Sequence, residues 1–296
     1  MEKRFQGVFI ALLTPFIGED VSEARLKDNI RVYNDAGLSG YVVLGSTGEC
    51  VSLTDDESER LVEAARDAAG QKAKLIVGTA RESTKLTIEF TTRMAGHGID
   101  AALVRPPSYF KSKIHREALK NHYLAIADRS PVPLIIYNIP QNTGVSLDPQ
   151  LIVELAGHPN IAGLKESSAS LTMLAEVVGQ VPPDFSYLSG SGSVFLPSLV
   201  MGASGAILAV ANIAPAICGS IYRLFREGKI REAAELQLGL APLNKTATET
   251  YGVPGLKYAL DMLGLYGGPA RSPLPPLDEK GRAEIGELLK KMRLVP

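Results

Sequence analysis

The chain has no tryptophan, two cysteines and four histidines among its 296 residues. Cys50 and Cys218 are too few for a disulfide framework or a four-cysteine zinc site, so a reducing, cytoplasmic setting is expected. His97, His115, His122 and His158 form no HxH or HxxxH pair, and no metal site is expected. No GxSxG elbow is present, which argues against a serine hydrolase. Charge of either sign is nearly balanced, 31 Lys+Arg against 32 Asp+Glu, leaving a formal net charge of −1. That balance gives no electrostatic case for nucleic acid or an anionic membrane. No apolar run reaches the ~20 residues of a membrane span. Lys3 and Arg4 precede an apolar run at 8–16. Thr14-Pro15 and the acidic pair Glu19-Asp20 make it a poor secretory signal.

What is present is a repeated pattern. Short apolar runs end in Gly, Ser, Thr or Pro, and each is followed by a helical stretch. The runs cover 7–16, 40–49, 74–81, 100–107, 133–140, 161–168, 185–192 and 205–212. They are continuously apolar rather than alternating, as strands buried on both faces are. Thr54-Asp55-Asp56-Glu57 reads as a capping box opening a helix. The stretches 84–98 and 115–130 also read as helices. Eight such β-α units predict a closed (β/α)8 TIM barrel, an α/β fold, over residues 1–225. A doubly wound open sheet would need a phosphate-type glycine loop after the first strand, and LLTPF has none. Beyond about residue 225 the strands stop, and 226–296 reads as a C-terminal helical extension.

In such barrels the chemistry lies at the carboxyl ends of the strands. Lys165 closes the sixth run, Ile161-Ala162-Gly163-Leu164-Lys165, whereas nearly all other lysines read as polar helix or loop residues. An ammonium in apolar surroundings loses solvation, and a neutral amine can attack a ketone to form a Schiff base. An ion pair with Glu166 is the plainer alternative. Tyr137 ends the fifth run, where a phenol could move protons or merely fill the core. Gly45-Ser46-Thr47-Gly48-Glu49 offers N–H groups and two hydroxyls suited to a carboxylate, or is simply a turn. Ser189-Gly190-Ser191-Gly192 leaves the same choice open.

GSTGE, YNIPQNTG and GLKES, with 28 residues from Tyr137 to Lys165, resemble the dihydrodipicolinate synthase / N-acetylneuraminate lyase superfamily. The likeness extends from LLTPF to the PGLKYALDMLGLYGGP tail. It implies a Schiff base between Lys165 and pyruvate or another 2-oxo acid, with Tyr137 as proton relay and no cofactor. It assigns Ser46 and Thr47 to the carboxylate, with Thr47 linked to a tyrosine that crosses a dimer, Tyr109 by position. Gly48, Asn142, Gly190 and Ile207 join the expected substrate contacts. The usual assembly is a homotetramer, a dimer of dimers.

One departure bears on the substrate. Synthases of this family resemble YN(V/I)P-x-R-T-G, whose arginine meets the carboxylate of aspartate semialdehyde. Here the position is Asn142, without charge or guanidinium fork. The expected activity is therefore a class I aldolase cleaving 4-hydroxy-2-oxoglutarate or a 2-keto-3-deoxy sugar acid to pyruvate and an aldehyde. The alternatives are synthase-type condensation with aspartate semialdehyde, a sialic acid lyase, a sugar-acid dehydratase using the same lysine, and a non-catalytic paralogue. Arg105, where the family often has threonine, is a further expected contact for a distal carboxylate or hydroxyl, or else a surface arginine.

Overall fold

Eight strands pair in parallel into a closed barrel: β1 (Gly7–Ala11), β2 (Gly40–Val43), β3 (Lys74–Gly78), β4 (Ala101–Val104), β5 (Leu134–Asn138), β6 (Ile161–Glu166), β7 (Ser186–Ser189) and β8 (Gly205–Leu208). The order around the ring is β1-β8-β7-β6-β5-β4-β3-β2. The computed structural model describes residues 3–296. Apart from Lys74, every barrel-strand residue is buried, which is why the runs are apolar without alternation. No helix of the described residues is long and apolar enough to cross a membrane.

Local chemistry starts the helices. Thr54 caps Asp55–Ala69 by accepting from the Glu57 N–H, while Glu57 accepts from the Thr54 N–H. Ser83 caps Thr84–Ala95, and the His115 ring caps Arg116–Arg129. The final stretch forms Ile230–Leu243, a π-helical segment Asn244–Thr250, then Gly252–Met262 and Glu279–Lys291.

Packing divides the chain into two compact units, one of residues 8–75 with 208–296, the other of residues up to Gly7 with 76–207. In the first, the Tyr33 hydroxyl donates to the Asn212 carbonyl and the Asn212 amide donates to the Ala11 carbonyl. In the second, aliphatic side chains of β4, β5 and β6 pack on Leu119, Tyr123 and Ile126, and on Leu151 and Leu155. Burial of these side chains stabilises the unit by roughly 1.5–3 kcal/mol each.

Register on β5 and β6 has a consequence for chemistry. Leu134 pairs with Ile161, but Ile135 pairs with Gly163, so β6 carries one extra residue. A bulge reverses the phase of every residue beyond it. With that shift Tyr137 lies beside Lys165; an unbroken register would have paired it with Leu164. Gly163 is required there, since a Cβ would lie 2.5 Å from the Ser186 carbonyl oxygen.

Candidate active site

Lys165 is 3% exposed, and its Nζ stands 4.2 Å from the centroid of the Tyr137 ring. No carboxylate comes within ion-pair distance of it among the described residues. Glu166, the plainer partner, points elsewhere because adjacent strand residues face opposite ways. Its carboxylate accepts from the Asn138 amide at 3.0 Å and from the Ser168 N–H at 2.8 Å. Asn138 in turn accepts from the Leu147 N–H, tying β5 to the chain beyond the following turn. The result is an amine against an aromatic face, with the neighbouring carboxylate otherwise engaged.

The turn after β5, Pro140–Thr143, holds Asn142 exposed at the surface. Gln141 donates to the Ser167 carbonyl at 3.0 Å, so this turn lies against the residues just past Lys165. Gly190 follows β7, where its N–H donates to the Glu166 carbonyl. A Cβ there would lie 1.9 Å from the Ser167 hydroxyl, so its glycine character has a packing cause. Ile207, on β8, is fully buried.

At the end of β4, Arg105 donates to Glu82 at 2.8 Å and to the Pro106 carbonyl at 3.0 Å. The same carboxylate accepts from the N–H groups of Ser108 and Tyr109. Burial pushes the Glu82 carboxyl upward, but these donors outweigh it and hold it below the ordinary carboxylate range. The Tyr109 ring is 80% exposed and meets Phe110 edge-on at 4.9 Å.

In the other compact unit, residues 45–49 form a tight loop bracketed by Leu44 at φ 57° and Glu49 at φ 55°. Non-glycine residues occupy that region at a cost of about 1–2 kcal/mol each, so surrounding structure must enforce it. The Thr14 hydroxyl donates to the Gly48 carbonyl at 2.6 Å, and a Cβ on Gly48 would lie 3.1 Å from the Leu12 carbonyl oxygen. Ser46 and Thr47 are partly exposed at the crest.

Behind this loop lies what the sequence reading missed. Lys257, on Gly252–Met262, is 1% exposed and pairs with Glu49 at 2.6 Å. It also donates to the Pro269 carbonyl and lies over the Phe16 ring. The Arg271 N–H donates to Glu49, and its guanidinium covers Phe16 from 4.5 Å and grips Glu57 through two nitrogens. Lys257 is thus no polar surface lysine. The signal was its neighbourhood, GVPGLKYALDML, with no other cation.

Comparison with known proteins decides the family. The Dihydrodipicolinate synthetase family matches residues 4–292. The chain belongs to this family. Its members are pyruvate-dependent, Schiff-base-forming carbon–carbon lyases, and this is an enzyme of that class. A 4-hydroxy-tetrahydrodipicolinate synthase of Methanothrix thermoacetophila is 36% identical over 291 residues, covering 97% of each chain. One from Thermomicrobium roseum is 37% identical over 281 residues, 95% of this chain and 92% of that one. The crystal structure of dihydrodipicolinate synthase from Aquifex aeolicus superposes with a TM-score of 0.93 at 34% identity, covering 98% and 99% of the two chains.

These family relatives correct the expected activity. The aldolase reading for 4-hydroxy-2-oxoglutarate or a 2-keto-3-deoxy sugar acid rested chiefly on Asn142, but relatives spanning the whole chain are named synthases. The physical reason lies in the position itself. Asn142 is one exposed turn residue, and its lack of charge fixes the charge of that side chain alone, not of the surrounding rim.

Proposed function

We propose that the protein condenses pyruvate with L-aspartate 4-semialdehyde to 4-hydroxy-tetrahydrodipicolinate. The observation that carries the chemistry is the buried Lys165 amine over the Tyr137 ring with no carboxylate partner. The choice of second substrate rests on the synthases to which the chain is similar from end to end.

The Lys165 amine adds to C2 of pyruvate, and water leaves as the iminium forms. Loss of a C3 proton gives the enamine, with Tyr137 moving protons. C3 attacks the semialdehyde aldehyde carbon and its oxygen is protonated. The amino group of the second substrate then adds at C2 and displaces Lys165, closing the ring, so one water is released per cycle. Ser46 and Thr47 hold the pyruvate carboxylate, and orientation by that cradle supplies much of the rate. Gly48, Gly190 and Ile207 shape the pocket, and Tyr109, exposed on this chain, reaches a second copy in a homotetramer. Cytoplasmic localisation, a barrel domain at 1–225 and an extension at 226–296 belong to the same proposal.

Mixing the enzyme with both substrates tests it. Consumption of the semialdehyde should require pyruvate and yield the cyclic product, and Lys165→Ala should lose at least ~10⁴-fold in turnover. An enzyme that binds pyruvate covalently yet leaves the semialdehyde untouched would overturn the reading.

A further inference from the structure

The second substrate of the proposed reaction carries a carboxylate beside its aldehyde, and such a group needs a cation or several N–H donors where it docks. The inference drawn here rests on that reading of the reaction. Four cations stand on or just beyond the ends of β4 to β6: Arg105, Lys111, Lys113 and Lys165. Lys165 is consumed as the imine. Arg105 is neutralised by Glu82 at 2.8 Å and held further by the Pro106 carbonyl. Lys111 and Lys113 remain, and Lys111 is the one that meets the turn bearing Asn142. Lys111 lies in the short 3-10 turn Lys111–Lys113, anchored by a hydrogen bond from the Lys113 N–H to the Phe110 carbonyl. No carboxylate lies within ion-pair distance of its ammonium among the described residues.

Its side chain is laid over the turn that carries Asn142. Both Cδ and Nζ of Lys111 lie 3.0 Å from the point a Cβ on Gly144 would occupy. Gly144 has φ +65°, so glycine serves twice there, permitting the left-handed backbone and leaving the lysine its resting place. Asn142 is two residues away on the same turn, exposed and with an amide able to donate. Through Gln141 that turn is bonded to Ser167, immediately beyond the strand end that bears Lys165.

We propose that Lys111 and Asn142 together form the carboxylate subsite for the semialdehyde: the ammonium supplies the charge and the amide supplies direction. A positive group from a different segment thereby replaces the charge missing at position 142.

Steady-state kinetics with each substrate varied in turn tests the assignment, alongside Lys113→Ala as the surface control. Lys111→Ala should raise KM for aspartate semialdehyde about 10- to 100-fold, the scale of one charge-assisted hydrogen bond. KM for pyruvate should stay within about twofold, and borohydride trapping of pyruvate should be unchanged. Lys111→Arg should keep KM within a few-fold of wild type, because any cation there serves. A Lys111→Ala enzyme indistinguishable from Lys113→Ala, or a Lys111→Arg enzyme as impaired as Lys111→Ala, would overturn the subsite. Failure of the synthase reading shows differently, as a wild-type enzyme that traps pyruvate but consumes no semialdehyde.

Discussion

The loop at 45–49 is braced by the Lys257–Glu49 pair, each side chain 1% exposed, whereas the 105–111 segment exposes Tyr109 and Phe110 and is fixed largely by one carboxylate, Glu82. The first arrangement commits several side chains from the C-terminal extension to a few atoms of backbone. The second spends one acidic residue on donors from three residues and leaves its aromatics exposed. The contrast matches the demands of the proposed reaction. A carboxylate cradle must be held in one geometry for the chemistry to be fast, while a surface that chooses the second substrate or meets another copy can change residue by residue.

Substitutions sharpen this contrast. The largest effect is expected at the brace. Lys257→Met removes the buried cation paired with Glu49 and leaves that carboxylate only the Arg271 N–H, which costs roughly 3–5 kcal/mol. Chemical denaturation should show a midpoint shift of that scale, and the Lys257→Met, Glu49→Gln double variant should recover part of it. A small loss in the single variant would mean the loop needs no brace.

Next comes Glu57, which joins the helix cap to Arg271. The Arg271 side chain is the leading cause that holds its carboxyl down at about 2. Because the folded-state value lies below the ordinary 4.5, its contribution is complete above pH 4.5 and lost as pH falls towards 2. Glu57→Gln should destabilise by about 2 kcal/mol near neutrality and flatten the stability profile between pH 4.5 and 2. Thermal melts across that range measure both.

The smallest effect belongs to the exposed rim. Tyr109→Ala should change monomer stability by no more than about 0.5 kcal/mol. If Tyr109 reaches a second copy, the same substitution should weaken assembly in sedimentation experiments. Unchanged assembly would remove Tyr109 from the interface.

The sequence made the barrel legible because burial on both faces leaves a local trace, an apolar run with a sharp polar end, repeated for all eight strands. Lys165 stood out for the same reason, as a charge at the end of such a run. The β6 bulge left no trace, since a one-residue shift in pairing changes no composition, yet it sets Tyr137 beside Lys165. Lys257 was hidden because its partner, Glu49, is some two hundred residues away. Asn142 misled in the opposite direction: the missing arginine was visible, but the cation laid over its turn comes from Lys111, whose place depends on the fold.

The central claim is that Lys165, of the two buried lysines, is the amine that bonds to pyruvate. Borohydride reduction in the presence of pyruvate, followed by peptide mass mapping, tests it most directly. The expected result is one stable adduct on Lys165, absent from Lys165→Ala and undisturbed by Lys111→Ala. An adduct on Lys257, or no adduct at all, would contradict the account.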